Sequence, residues 1–246
     1  MATHFSDVGF EIDEENFYDE MIKIFDTYVE NSSKNIIMGN KGYVVIYLDD
    51  IELWFAIDEE KFVDIYDFEI HYNTGKWFEM KDPEWIWKES NDSFGLISVW
   101  EVDDSFPVNV TIPDALMCPD FKEDEVYKCQ LSCFVESIEI FKNKEDFNKV
   151  HDGIAEKSFF PTGSFPANKD DEDFEQSSHA WINGIVENVE KKTNSYTNRN
   201  FYVVTVNSLD MSFDLLVADT DAELAGIEKG DIVSAWVWIS GKIREK

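Results

Sequence analysis

Arginine is nearly absent from this 246-residue chain, which contains only Arg199 and Arg244. Lysine and arginine together number 21, against 52 aspartates and glutamates, and the formal net charge is −31 at pH 7. Proteins that hold nucleic acid without sequence preference neutralise phosphates with clustered basic side chains. The composition therefore argues against DNA or RNA binding by a broad basic surface.

Cysteine is scarce and long apolar runs are missing. The three cysteines are Cys118, Cys129 and Cys133, an odd number without a disulfide framework. Cys129 and Cys133 share one face of a predicted strand with Leu131, so we predict buried thiols. No apolar run approaches the roughly 20 residues that span a bilayer. The first residues lack the basic and apolar segments of a signal peptide, so we expect a cytoplasmic protein.

Motifs of the common enzyme classes are also missing. The eleven glycines form neither a dinucleotide-binding nor a P-loop pattern, and there is no GxSxG segment. Carboxylate pairs such as Asp103-Asp104 arise by chance in so acidic a chain and point to no metal. The four histidines lie far apart and lack zinc-ligand spacing: His4, His71, His151 and His179. We predict a non-enzymatic protein with no metal and no cofactor.

The acidic residues are concentrated in the first part of the chain. Residues 1–150 contain 35 acids and 12 bases, whereas residues 178–246 contain 10 acids and 7 bases. A strongly negative surface attracts basic proteins and accelerates their encounter. The same charge also keeps a protein soluble without any specific partner, and the sequence leaves that interpretation open.

The spacing of apolar residues predicts a mainly β protein with some α-helix. Helical spacing between Asn16 and Asn31 predicts one helix, and a short helix is predicted at Glu145–Val150. Between these helices apolar residues alternate, with Asn, Asp and Gly at the turns, as in an antiparallel meander. The strands predicted there are Asn35–Met38, Tyr43–Leu48, Glu52–Ile57, Phe62–Tyr72, Trp77–Met80, Trp85–Trp87, Leu96–Val102, Val108–Ile112 and Val126–Phe141.

The last part of the chain predicts a compact five-stranded barrel of the OB type. A polar turn follows its first strand, Asp219–Leu224 could form a short helix, and Gly241 is predicted to bend the chain before the last strand. The five strands are Trp181–Val189, Phe201–Val206, Phe213–Val217, Ile232–Ile239 and Lys242–Ile243.

The chain is therefore divided into three predicted regions. Residues 1–166 form an acidic α+β domain, residues 167–178 an acidic linker, and residues 179–246 the OB-like barrel. Around Phe106–Asp124 the sequence predicts a strand, a short acidic segment, a polar turn and a second strand. The same order recurs around Ser212–Asp231. This echo suggests a second barrel-like module at 77–141, although the identities are too few to establish a repeat.

Five C-terminal segments carry a resemblance to known proteins: Gly184–Glu190, Thr193-Asn194, Phe201–Val206, Phe213–Leu216 and the aromatic-rich strand Gly230–Gly241. Together they resemble a family of uncharacterised bacterial proteins. The resemblance covers residues 179–243, and it implies an OB-like domain but no known activity.

Two sets of residues are candidates for binding. In the acidic region, aromatic side chains lie beside carboxylates, an arrangement suited to a protein interface; these residues are Glu52, Trp54, Asp82, Glu84, Trp85 and Trp87. On the barrel, outward aromatics next to a basic hairpin could stack single-stranded bases; these residues are Trp236, Trp238, Tyr196, Lys191, Lys192 and Arg199. For the two tryptophans we favour the other interpretation, that they cover the N-terminal domain or a partner.

The sequence thus predicts an acidic binding protein that acts by protein–protein contact, such as an inhibitor or immunity-type protein that neutralises a basic, nucleic-acid-binding partner. The alternative is binding of single-stranded nucleic acid or an oligosaccharide by the C-terminal barrel. Neither the identity of the partner nor the oligomeric state follows from the residues.

Overall fold

The chain folds into a mainly β structure with few helices, as the sequence predicts. The computed structural model describes residues 2–10, 14–30, 33–38, 41–58, 65–88, 93–103, 106–166, 174–220, 224 and 226–246. Its helices are α1 (Ala2–Ser6), α2 (Phe17–Tyr28) and α3 (Lys144–Val150). Its strands are β1 (Ser33–Met38), β2 (Lys41–Leu48), β3 (Ile51–Asp58), β4 (Ile65–Tyr72), β5 (Phe78–Lys88), β6 (Gly95–Glu101), β7 (Pro107–Ile112), β8 (Val126–Phe141), β9 (Ser158–Phe160), β10 (His179–Thr193), β11 (Asn200–Ser208), β12 (Met211–Ala218) and β13 (Ile232–Glu245).

Strands β1 to β4 form a four-stranded antiparallel meander in chain order. β2 and β3 pair along their whole length across a turn in which Asp49 has a φ of 56°. The central strands β2 and β3 are buried on both faces over most of their length, which explains why they are nearly continuous apolar runs. Met21 and Ile24 of α2 belong to the cluster on one face, and Phe94 belongs to the cluster on the other.

The other nine strands form one sheet in which two sets of five strands close on themselves. In the first ring, β5 pairs with β6, β6 with β7, β7 with β13, β13 with β8, and β8 with β5. In the second ring, β10 pairs with β11, β11 with β12, β12 with β8, β8 with β13, and β13 with β10. Closure is uneven: β7 and β13 share the single pair Thr111↔Ser240, and β12 and β8 share only the pairs of Leu215 and Leu216.

Strands β8 and β13 belong to both rings and pair antiparallel from Phe141↔Ile232 to Tyr127↔Glu245. This corrects one prediction about the second ring. Its fifth strand is β8, and Lys242–Ile243 is not a separate strand, because β13 continues through Gly241 in unbroken pairing with β8. Glycine in a strand often marks the close approach of another backbone, and the carbonyl group of Gln130 makes that approach here.

Gly241 of β13 lies against β7 and β8, and there is no room for a side chain. A Cβ atom added there would lie 2.5 Å from Val110 Cγ1 and 2.8 Å from the carbonyl oxygen of Gln130. We expect Gly241→Ala to lower the free energy of unfolding by about 1–3 kcal/mol through overpacking, measured by urea denaturation. The exposed Ser137→Ala on β8 is the control, with an expected change within about 0.5 kcal/mol. Equal stability of the Gly241→Ala variant would contradict the tight packing of β13 against Val110 and Gln130.

The interiors of both rings belong to one hydrophobic cluster, which includes Val108, Leu131, Val204 and Val237. Cys129 and Cys133 lie fully buried in this cluster as free thiols, and the prediction for these two residues is confirmed. Burial raises the pKa of the Cys129 thiol to about 12.

Strands from both sides of the predicted domain boundary are hydrogen-bonded to one another in a single sheet. The module predicted at 77–141 contributes β5 to β8, and its ring is completed by β13 from the C-terminal region. Ser177 N donates to Gly163 O at 2.9 Å, and Ile239 N donates to Ser178 O at 3.0 Å, so the end of the predicted linker packs on the sheet. Residues 167–173 of the linker, residues 62–64 and residues 221–223 of the helix predicted at 219–224 lie outside the described residues. The division into domains stays a prediction.

Candidate functional site

The outward face of β13 is covered by the N-terminal part of the chain along most of its length. The Trp238 ring, 8 % exposed, stacks on His4 with 4.2 Å between ring centroids. Ser240 Oγ lies 3.1 Å from His71 Nδ1. Lys242 forms an ion pair with Glu52, and further along the strand Arg244 pairs with Asp114. Trp238 therefore covers the N-terminal segment, in agreement with the interpretation favoured from the sequence.

Glu52 and Trp54 lie inside this covered region, at 3 % and 2 % exposure. Trp54 Nε1 donates to Glu52 Oε2 at 3.0 Å, and the Lys242 ammonium lies 5.1 Å from the centre of the Trp54 ring. The sequence analysis predicts both as partner-binding residues, which requires them to lie on the surface. Their burial contradicts that surface position. The alternation of acid and aromatic along β3 reflects a buried ion pair, whose cation is 190 residues away in the sequence.

A buried polar network surrounds His71, which is fully buried. Its Nε2 donates to Gln130 Oε1 at 2.9 Å, and Gln130 in turn donates through Nε2 to Asn73 Oδ1, which fixes the amide orientation. Burial lowers the pKa of His71 to about 3, and burial likewise lowers the pKa of His4 to about 3. Both imidazoles are therefore neutral at pH 7.

From Trp238 towards the start of β13, the same face of the sheet is no longer covered by the N-terminal part of the chain. It carries a row of aromatic side chains there. Phe160 of β9 pairs with Trp181 of β10, and Trp181 pairs with Trp236 of β13. The rings of Trp181 and Trp236 meet edge to face at 5.8 Å between centroids. Phe160 and Trp236 are 41 % and 39 % exposed. We call these three residues the aromatic row.

A row of polar side chains beside the aromatic row holds Trp181 in place. Trp181 Nε1 donates to Ser234 Oγ at 2.6 Å, and Ser234 Oγ donates to Asn183 Oδ1 at 2.5 Å. Asn183 Nδ2 donates to Ser158 Oγ at 2.9 Å. Since each of these side chains is hydrogen-bonded to the next, the orientation of the indole is fixed by the protein itself.

Carboxylates border the aromatic row on β8. Ser137 is the pairing neighbour of Trp236, and the adjacent Glu136 and Glu139 are exposed. Glu136 Oε1 lies 3.1 Å from His179 Nε2, and Glu139 Oε2 lies 2.9 Å from His151 Nε2. Among the described residues, no lysine or arginine forms an ion pair with either carboxylate. The border of the row is therefore negative.

The basic hairpin predicted to accompany Trp236 lies elsewhere. Lys191 is ten residues beyond Trp181 on β10, roughly 30 Å along the strand. Its ammonium pairs with Asp219 at 3.2 Å, and that of Lys192 pairs with Asp50 at 2.9 Å. Tyr196 packs between rings of the N-terminal segment, Phe10 and Tyr28 among them, and Arg199 is exposed. The structure therefore does not bring the hairpin and Trp236 together.

The predicted residues of β5 lie on the first ring. Asp82 and Glu84 are exposed, and Trp87 is 42 % exposed. Trp85 is half-buried, stacked on Phe121 at 5.6 Å, with the Lys88 ammonium 4.1 Å from its ring. Glu84 and Trp85 also line a groove of about 420 Å³ over the outer faces of β6 and β7, which we call the β6–β7 groove.

The sequence reasoning missed two members of the aromatic row. The sequence analysis places Trp181 only within a strand, and it assigns Phe160 to no element. Alternation along β10 is the signal that would place Trp181 outside the barrel, because Ala180 and Ile182 lie in the core. The alignment of Phe160 with Trp181 depends on long-range pairing, which no local pattern reports.

Among the described residues, no group of three or more His, Cys, Asp or Glu side chains is placed to hold a metal ion. None of the helices in the described ranges is long and apolar enough to cross a membrane. Searches of protein-family models, of curated proteins and of solved structures find no match to this chain.

Proposed function

We propose that this chain is a non-enzymatic binding protein whose aromatic row, Phe160, Trp181 and Trp236, docks on a basic protein. The observation that carries the proposal is the exposure of this row on a sheet face whose other end is fully covered. Protein interfaces are enriched in Trp, Tyr and Phe, and aromatic anchors supply much of their binding energy. Trp181 is held by its hydrogen bond to Ser234, so little conformational entropy is lost when a partner covers the row.

Charge determines which partner fits. Glu136 and Glu139 border the row, and the first 150 residues carry 35 acids against 12 bases. Many of the cations are already neutralised within the chain; ion pairs with carboxylates are formed by Lys23, Lys76, Lys122, Lys142, Lys144, Lys149, Lys191, Lys192, Lys242, Arg244 and Lys246. The acidic excess therefore remains to attract a positively charged surface, as in an inhibitor or immunity protein that blocks a nucleic-acid-binding partner.

We further propose that both rings are OB-type barrels. The pairing order of the second ring, β10-β11-β12-β8-β13, with a parallel contact between β12 and β8, supports this assignment. The first ring repeats the order as β5-β6-β7-β13-β8, with a parallel contact between β7 and β13. The resemblance of residues 179–243 to a family of bacterial proteins also stays a prediction.

The alternative, nucleic acid or an oligosaccharide on the C-terminal barrel, has less support. OB-type barrels bind such ligands on the outer face of their second and third strands. In the second ring those strands are β11 and β12, and their outward Phe201, Val203 and Leu216 lie in the cluster shared with the meander. Lys191 and Lys192, two of the three cations of the adjoining hairpin, are both paired with carboxylates.

Affinity capture from the native host at low and high salt tests the proposed function. We expect a basic protein to be recovered at low salt and its affinity, measured with the purified partner, to fall as salt rises. Trp236→Ala should weaken binding tenfold or more, since it removes a central aromatic anchor.

Trp77→Ala is the matched control, because Trp77 is 44 % exposed and lies outside the aromatic row. Its affinity should equal that of the wild type. Recovery of an acidic or neutral partner, salt-independent binding, or equal losses in the two tryptophan variants would each refute the proposed function.

A further inference from the structure

The turn between β11 and β12 has a backbone conformation that leucine does not favour. Ser208 of β11 pairs with Met211 of β12, so the chain turns through two residues, Leu209 and Asp210. Their φ angles are 46° and 63°. A two-residue hairpin turn with positive φ at both positions is typically formed by Asn-Gly or Asp-Gly, because larger side chains crowd the backbone in this conformation. Leucine in this turn therefore costs free energy that asparagine would largely avoid.

Leu209 is the exception among the described residues that adopt this conformation. Six described residues other than glycine have a positive φ. Five of them are aspartate or asparagine, whose short polar side chains tolerate it: Asp49, Asp82, Asp124, Asn198 and Asp210. The sixth is Leu209, whose side chain has no such compensation.

Burial does not account for the leucine either, because Leu209 is 43 % exposed. A leucine can be kept in a strained conformation when its side chain fills the core, but this one lies at the tip of a turn. Local conformation and core packing would both favour another residue at this position. Where the local rules of a fold are broken in this way, function is the usual reason.

The turn adjoins the sheet face that carries the aromatic row. Ser208 Oγ donates to the carbonyl oxygen of Ser158 at 3.2 Å, so the turn lies beside the start of β9. Ser158 is two residues from Phe160, about 7 Å along the strand. A protein that covers Phe160 therefore lies within reach of the turn.

The charges at the turn match those beside the aromatic row. Asp210 follows Leu209 and is exposed. Glu187, also exposed, accepts a hydrogen bond from Ser212 Oγ on the strand that leaves the turn. The Lys157 ammonium donates to Asn207 Oδ1 on the strand that enters it. Two of these three charges are negative, so a basic surface fits the turn as it fits the row.

We propose that Leu209 is a second anchor beside the aromatic row and enters an apolar pocket on the same basic protein. This inference rests on the proposed function and adds a requirement to it. The partner has to present an apolar pocket among its cations, next to the surface that covers Phe160. The strained turn is retained because an apolar side chain at its tip contributes to binding.

A Leu209→Asn variant tests the proposal through two measurements that move in opposite directions. Calorimetric titration with the purified basic protein that the wild-type chain captures at low salt gives the affinity, and urea denaturation gives the stability. We expect the affinity to fall about tenfold, since asparagine cannot fill an apolar pocket. We expect the urea midpoint to rise, since asparagine fits the positive φ. A leucine that served only the fold would give a lower midpoint.

Leu209→Met is the matched control, because it keeps an apolar side chain of similar volume on the same strained backbone. It should bind within about twofold of the wild type, and its urea midpoint should be unchanged. A fall in affinity as large as that of Leu209→Asn would contradict an apolar pocket that accepts this side chain.

The proposal is also overturned if Leu209→Asn binds as tightly as the wild type or unfolds at a lower urea concentration. Each of these outcomes leaves the proposed function intact as long as Trp236→Ala still weakens binding. Failure of the wild-type chain to capture a basic protein would instead refute the proposed function, and this inference with it.

Discussion

A Lys242→Met variant is expected to lose about 3–5 kcal/mol of its free energy of unfolding, because it leaves the Glu52 carboxylate buried without its cation. Glu52 is 3 % exposed, and its other described partner is the indole N–H of Trp54. Lys242 is itself only 9 % exposed, so water replaces the lost ammonium poorly. Urea denaturation at neutral pH measures the loss.

The double variant Glu52→Gln/Lys242→Met should recover most of that loss. Glutamine keeps an oxygen for Trp54 Nε1 and removes the charge, and methionine fills the space of the lysine stem. Lys246→Met is the matched control, since Lys246 pairs with Glu79 at 2.9 Å and both side chains are about half exposed. It should change stability by about 1 kcal/mol or less. A Lys242→Met loss as small as that of the control would contradict the assignment of a buried pair.

Mild acid should destabilise the protein through its two buried histidines. Burial lowers the pKa of His4 and of His71 from 6.5 to about 3, so the unfolded chain takes up these protons first as the pH falls. The stabilisation is complete above pH 6.5 and is lost progressively as the pH falls towards 3. At pH 5 each histidine is expected to cost about 2 kcal/mol relative to pH 7.

His71→Gln isolates one of these two contributions. Glutamine retains hydrogen-bonding groups for the network of Gln130, Ser132 and Ser240 but does not titrate in this range. We expect the change in unfolding free energy between pH 7 and pH 5 to be about 2 kcal/mol smaller in the variant than in the wild type. Carboxylate titration is common to both proteins and cancels in this difference. Equal pH dependence of the two proteins would show that His71 is charged or hydrated in the folded state.

The local pattern of apolar residues was sufficient to predict most of the individual helices and strands. The helix predicted at Asn16–Asn31 is observed as Phe17–Tyr28, and the strand predicted at Val126–Phe141 has exactly those bounds in the structure. The segments predicted as Trp77–Met80 and Trp85–Trp87 are one strand, β5, because irregular pairing and a positive φ of 49° at Asp82 accommodate the polar interruption. Periodicity reports such elements because their apolar side chains are close in sequence.

Long-range pairing could not be predicted in the same way. Nothing in residues 179–246 indicates that the fifth strand of the second ring comes from β8, since Leu215↔Cys133 joins positions that no turn connects. The same limit applies to the candidate sites. Trp236 was predicted to point outward and does, but its neighbours Trp181 and Phe160 are set by strand register. Glu52 was misplaced because its partner, Lys242, lies at the other end of the chain.

The sharing of β8 and β13 by both rings has a consequence for how the protein forms during synthesis. Strand β13 leaves the ribosome after β1 to β12, and without it neither ring is closed. Strands β5 to β8 of the first ring are synthesised more than 90 residues before β13. Until β13 is synthesised, β7 lacks its parallel neighbour and the first ring cannot close. Contacts of such long sequence separation make folding slow and leave strand edges open meanwhile. The strong negative charge of the first 150 residues provides mutual repulsion between nascent chains during that interval.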